Sequence, residues 1–381
     1  MAIKSEKEKL IMEPVIKEVD CVSDYINIIN SISAEVENKY SNMDTAGYWI
    51  DKINEISKKI NDMKNTKKTK KNYEEIETEL GKFILGTRIY EDHLQLNKNT
   101  LILSYDIDTG TQFIEKDGFD VFYRGVYKHS YSLLPSVFRD DNYPMESHFY
   151  NFSTTTGYKF FSDNNTFNCL TTLQHYGCPT RLLDITKNPL VALYFACKDF
   201  SVKEIDPKNY GYVYVFLNRK RQLAYPDSDR IRIESNVTRL SEEEKLKLLN
   251  TCIKRIIDDG LKAKFDKSNN GPIVEKLYHF IKQDGDFRKD ILCIDLLKTY
   301  FVQPNILFDR LDRQSGLFIL SGLSSNISKA EEKINDLVFM KIKINNQKHI
   351  LEELDRLNIN ESSLFPDLDH ISNYIKERAK D

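Results

Sequence analysis

The sequence predicts an α+β fold with an N-terminal helical region, and three observations carry that expectation. Short runs mixing aromatic and β-branched residues, "DVFYRGVY", "YGYVYVFLN", "GLFIL" and "LVFMKIKI", read as strands. Around them, apolar residues recur at spacings of three and four, the period of amphipathic helices. The two textures alternate irregularly, with no βαβ rhythm and no internal repeat, which argues against a doubly wound parallel sheet.

Taken in order, residues 1–111 read as the helical region, because "DYINIINSISAEVENKY" and "YWIDKINEISKKINDMK" keep the helical period with few Gly or Pro. The basic run "KNTKKTKKN" (Lys64 to Asn72) reads most simply as a solvated loop balanced by the acidic "YEEIETEL" that follows. Residues 112–323 read as the α+β core. Its first clear strand places Phe122 and Arg124 on one face by period two. In "RLLDIT" the same alternation puts Leu183 and Ile185 on one face and Leu182, Asp184 and Thr186 on the other. "NPLVALYFAC" then starts a helix, with Asn188 as cap, Pro189 in the first turn, and Leu190, Leu193, Tyr194 and Cys197 as its inward stripe. Tyr210 to Asn218 is a strand. "DRIRIESN" reads as another, with Ile231 and Ile233 inward and Arg232 and Glu234 outward. "SEEEKLKLLNTCIKRIIDDG" is a helix opened by a capping box at Ser241 and Glu244 and ended by Gly260. Strands from Gly316 and Leu337 follow, and residues 324–381 close the chain with a strand and two helices.

With 40% hydrophobic and 30% charged residues, the 381-residue chain can bury a full core. Its 55 Lys and Arg against 58 Asp and Glu create no global field toward nucleic acid or a membrane, so any such binding needs a local patch. The start "MAIKSEKEKL" has no apolar signal region and no run is long enough to span a bilayer, so a cytoplasmic, membrane-free protein is expected. The six cysteines form no Cys-x-x-Cys pair, and reduced thiols are expected. Cys169, His175 and Cys178 match no zinc spacing, and no HExxH, P-loop, G-x-G-x-x-G or G-x-S-x-G motif occurs, so no metal is expected.

The densest polar cluster lies in "LQHYGCPTRLLDITKNPLVALYFAC", Leu173 to Cys197. Strand, tight turn and helix N-terminus meet near Thr186, a junction that collects backbone donors and suits a phosphate or carboxylate. The plainer alternative is that Asp184 and Thr186 satisfy only the turn and the helix start, and that His175 is an ordinary half-buried histidine. Gly177 and Pro179 read as turn residues.

"FYRG" (Phe122 to Gly125), "LLPSVFR" (Leu133 to Arg139), the Leu173 to Cys197 stretch, "RLDRQSGLF" (Arg310 to Phe318) and the tail "LEELDRLNINESSLFPDLD" together resemble, in that order, the FRG domain, named for its (F/Y)RG motif. The association of that family with bacterial and phage conflict genes implies a toxin or phage-defence effector. A looser resemblance, to ADP-ribosyltransferases, implies a mainly antiparallel split sheet flanked by helices, with NAD as substrate. It also implies a protein, RNA or DNA target and an antitoxin or inhibitor partner. On that resemblance Arg124 and Thr186 take the first two catalytic roles. Gln314 stands where a carboxylate is looked for and, as an amide, cannot act as a general base, which leaves Glu234 as the acidic substitute. Tyr123, Arg124, His175, Tyr176, Arg181, Asp184 and Tyr194 are the implied NAD contacts. The alternative is a non-catalytic nucleotide- or RNA-binding module that grips phosphates through arginines and stacks bases on aromatic rings.

Overall fold

The computed structural model describes residues 14–379 apart from 42–44, 65–72, 79, 81–86, 90–92, 98–100, 107–111, 117–118, 164, 199–209, 220–221, 266–269 and 288–289. In chain order its elements are β1 (Val15–Val19), α1 (Val22–Ser41), α2 (Thr45–Lys64), β2 (Thr87–Ile89), β3 (His93–Asn97), β4 (Leu101–Asp106), β5 (Gln112–Lys116) and β6 (Phe119–Val126). Next come α3 (Glu146–Thr155), α4 (Lys159–Asp163), α5 (Thr166–His175), β7 (Leu182–Thr186), α6 (Pro189–Cys197), β8 (Gly211–Arg219), α7 (Asp229–Asn236), α8 (Glu242–Asp259), β9 (Lys264–Phe265), α9 (Pro272–Asp284) and β10 (Ile291–Leu292). The chain ends with β11 (Tyr300–Val302), α10 (Asp309–Arg313), β12 (Gly316–Leu320), α11 (Ile327–Asn335), β13 (Val338–Ile344), α12 (Gln347–Arg356), α13 (Glu361–Leu364) and α14 (Leu368–Arg378).

The class is α+β. Seven strands form one sheet in the order β1-β13-β8-β6-β7-β12-β11. The pairing is antiparallel except between β1 and β13. Period two sorts the strand residues between two cores: along β8, Val213 and Val215 join the layer built with α1, α6 and α12, while Tyr214 and Phe216 join Phe122, Leu183 and Ile319 on the opposite face. A third, helical core gathers Ile56 and Ile60 of α2 with Leu249 and Ile253 of α8 and Leu277 of α9. Full pairing runs along β6 and β8. By contrast, β6 and β7 meet in register at one pair, Tyr123 with Thr186, so the sheet parts between them.

Several elements differ from the expectations. "VIKEV" is a strand at the head of the helical region, pairing Val15 with Met340 more than 300 residues away. Such a partner leaves no mark on local periodicity. A four-stranded antiparallel sheet, β2-β3-β4-β5, occupies the stretch between 87 and 116. "DRIRIESN" is helix α7, not a strand: with Ile231, Ile233, Glu234, Ser235 and Asn236 all buried, it packs against α5 and α9, and burial on several sides erased the helical period. The tail folds as three helices, broken at Asn358 (φ 60°) and restarted by the Asn360 cap. Lysines 67, 68, 70 and 71 lie outside the described residues. The helix signals of α6 and α8 hold: Asn188 accepts from Leu190 N, the Ser241–Glu244 box is closed both ways, and Gly260 ends α8 at φ 84°. No helix among the described residues is long and apolar enough to cross a membrane.

Candidate functional site at the parting of the sheet

Gly125 sets the site's architecture. A Cβ at this position would lie 1.8 Å from the Ala192 carbonyl oxygen, and one at Gly211 would lie 2.0 Å from that of Ala196. Helix α6 therefore rests its backbone on β6 and β8 with no side chain between, a close approach that only glycine permits. In place of the single inward stripe expected, α6 buries Val191, Ala192, Leu193, Tyr194, Ala196 and Cys197.

Beside α6, where β6 and β7 part, lies a cavity of about 260 Å³. Tyr123, Arg124, His175, Asp184, Thr186 and Gln314 all line it, so it brings together residues separated by up to 191 positions in the chain. Arg124 reaches across the parting: its Nη1 donates to the Asp184 carbonyl at 2.5 Å and lies 3.9 Å from the Asp184 carboxylate. Burial pulls its pKa down to about 10 against the attraction of Asp184, and its buried Nε has no hydrogen-bond partner. Asp184 is the one carboxylate among the described lining residues; its side chain is 64% exposed and its Oδ2 accepts from Gln174 Nε2 at 2.9 Å.

Thr186 has already spent its one donor. Its hydroxyl donates to the Gln314 carbonyl at 2.6 Å and accepts from Asn188 N at 2.9 Å, joining the end of β7 to the turn before β12 and to the α6 cap. The Gln314 amide donates to the Leu364 carbonyl at 3.2 Å. On the opposite wall the His175 ring lies flat on Phe308, with centroids 4.1 Å apart and planes 1° from parallel. Burial, and then Arg310, hold the His175 pKa below its ordinary value. Arg310, also lining the cavity, stacks over Phe365 at 4.7 Å.

Two of the implied contacts, Arg181 and Tyr194, and the acidic substitute Glu234 belong elsewhere. Arg181 is 1% exposed and makes two 2.6 Å hydrogen bonds to Glu146, with a third to the Ser321 carbonyl at 3.2 Å. Glu234, expected on an exposed strand face, is a buried residue of helix α7, 3.6 Å from Arg181. Arg181, Glu146 and Lys245 form an internal ionic cluster with Glu234 beside it, because sealing a guanidinium from water requires a carboxylate against it. Tyr194 is buried at a separate hollow shared with Lys198 and the α12–α14 segment. Tyr176 stays at the rim, 77% exposed and edge-on to His175 and Phe308. Sequence reasoning gave no role to Gln174 or Phe308. Gln174 was visible as the neighbour of His175; nothing local marked Phe308.

Among the described residues no group of His, Cys, Asp and Glu has metal-binding geometry, and all six cysteines are free thiols. A family model, the FRG domain, matches residues 120–204. That span runs from β6 past α6 and contains Tyr123, Arg124, Gly125, His175, Asp184 and Thr186. No curated protein and no solved structure matches the chain.

Proposed function

For a chain whose residues 120–204 are an FRG domain, we propose that the cavity beside α6 is a nucleotide site acting on NAD in the manner of an ADP-ribosyltransferase. The supporting observation is the pairing, in one cavity, of a half-buried guanidinium with a solvent-accessible carboxylate 3.9 Å away. The sheet that parts at one residue pair is the feature resembling the split sheet of those transferases. In this reading the Arg124 fork grips a phosphate in place of its internal contact with Asp184. The His175–Phe308 stack faces a planar ring. At just under the ~300 Å³ at which ligand clefts usually begin, the cavity takes one nucleoside-sized part of NAD, the remainder lying along the open rim.

Asp184 supplies the carboxylate assigned by resemblance to Glu234. As the ribose–nicotinamide C–N bond breaks, nicotinamide leaves with the electron pair and the Asp184 anion stabilises the cationic ribose. An acceptor oxygen or nitrogen on a protein or nucleic acid then bonds to the same carbon and yields its proton to Asp184. Thr186 holds the backbone frame. The chain thereby acts as an effector against a cellular macromolecule.

The test is release of nicotinamide from NAD by the purified chain, with label from NAD followed into protein and nucleic acid of a lysate. Arg124→Ala and Asp184→Asn should each remove the signal while the protein stays folded. The second reading, a binding module without turnover, is favoured by the amide at Gln314 and its bond to Leu364. Binding of NAD with no nicotinamide release would establish it in place of the transferase.

A further inference from the structure

An Asp side chain that is 64% exposed does not keep one rotamer unaided, yet Asp184 is held. Its Oδ2 accepts from Gln174, whose Oε1 accepts in turn from the Thr180 hydroxyl. Thr180 Oγ1 itself accepts from Leu182 N at 3.2 Å. The direction of this chain is fixed by counting protons. A carboxylate oxygen only accepts, so the amide NH₂ of Gln174 must face Asp184; the amide oxygen then meets the Thr180 hydroxyl, which accepts from a backbone N–H and still has its one hydrogen to give. Turned the other way, Gln174 would set an oxygen against a carboxylate.

The anchor beneath is rigid. Thr180 is 1% exposed; its N–H donates to Ser136 Oγ at 3.1 Å and its carbonyl accepts from Val137 N at 3.0 Å. Ser136 and Val137 belong to "LLPSVFR", none of whose residues lines the cavity itself. Among the described residues Asp184 Oδ1 has no hydrogen bond, so one oxygen is fixed and the other is left for a ligand.

We propose that Gln174 and Thr180 are positioning residues that hold the Asp184 carboxylate for the reacting sugar, an inference that rests on the transferase reading above. Displacing a reacting group by about 1 Å costs on the order of 100-fold in rate with little effect on ground-state binding. Gln174→Leu should therefore lower kcat for nicotinamide release by about 10–100-fold and leave the NAD dissociation constant within about threefold. Thr180→Val should do the same, Thr180→Ser should restore most of the rate, and Gln174→Leu with Thr180→Val should lose no more than either alone, since the two act as one chain.

A measurement independent of NAD accompanies the kinetics. In protein labelled with ¹⁵N-glutamine, the Gln174 side-chain amide signal, assigned by its loss in Gln174→Leu, should move in both Asp184→Asn and Thr180→Val. An unmoved signal overturns the chain of hydrogen bonds. A moved signal with normal kcat in Gln174→Leu overturns the positioning role, as does a Thr180→Ser protein as slow as Thr180→Val. If the signal moves while the unaltered protein releases no nicotinamide, the transferase reading and the catalytic role fall together, and the hydrogen-bond chain stands as the holder of Asp184.

Discussion

In the proposed reading, ligand binding turns on Arg124. Its guanidinium is mostly withdrawn from water, bonded to a backbone carbonyl and close to one carboxylate, so an incoming anion finds a cation already desolvated. Arg124→Ala should weaken NAD binding by roughly 10–100-fold, the equivalent of about 1.5–3 kcal/mol for a charge-assisted contact, as read by calorimetry. Arg124→Lys should recover little, because a point charge cannot replace the planar fork. An Arg124→Ala protein that melts much lower but binds NAD normally would make this arginine a strand tie. Thr186 behaves differently, because its hydroxyl is spent on Gln314 and Asn188. Thr186→Val should cost about 1–3 kcal/mol of stability by leaving buried partners unsatisfied. A loss of activity with an unchanged melting temperature would show a direct role instead.

Between elements, the decisive contact is α6 lying on β6. The glycine of the (F/Y)RG motif is required by distance alone, since Gly125 is not among the positive-φ residues and a methyl there would occupy the Ala192 carbonyl. Gly125→Ala should destabilise the protein by about 3 kcal/mol, in the upper range for overpacked interiors, and lift α6 from the cavity wall. Calorimetry should find a lower melting temperature with NAD binding lost alongside it; a melting temperature within a degree of the original would contradict so close a contact. The C-terminal segment closes the other side, where Ser363 and Leu364 accept from Arg313 and Gln314 and Phe365 carries Arg310.

Across the whole molecule, a buried cluster of Glu146 of α3, Arg181 just before β7 and Lys245 of α8, with Glu234 of α7 beside it, sets the pH response. Burial would raise the Glu146 carboxyl, but Arg181 and Lys245 outweigh it and hold the pKa at about 2 against an ordinary 4.5. The stability Glu146 contributes is full above pH 4.5 and is lost as pH falls toward about 2. Glu234 has the opposite sign. Burial lifts it well above 4.5 against the pull of Arg181 and Lys333, so its contribution is full at low pH and falls as pH rises past 4.5. Glu146→Gln should therefore cost about 3–5 kcal/mol near neutrality, with the deficit shrinking in acid. Glu234→Gln should gain on the parent protein as pH rises from 4.5 to 7. Melting curves across that range decide both; a Glu234→Gln deficit that grows toward neutrality would mean that Glu234 works there as an ion.

Local sequence determined what depends on near neighbours. The α6 and α8 caps, the alternating strands and the polar wealth of Leu173 to Cys197 were legible because caps and strand faces are set within a few residues. Arg124, Asp184, Thr186 and Gln314 come together at one cavity only in the folded chain. Tertiary structure alone decided the rest. β1 is a strand because β13 is there to pair with it, and α7 is a helix because neighbouring elements bury it on several sides. The roles of the charged residues were also invisible from sequence. Arg124 and Arg181 carry the same side chain near strands of one sheet, yet one lines a cavity and the other is sealed against Glu146. A charge's function follows from whether water or a carboxylate completes its surroundings, and that is set by residues far away in the chain.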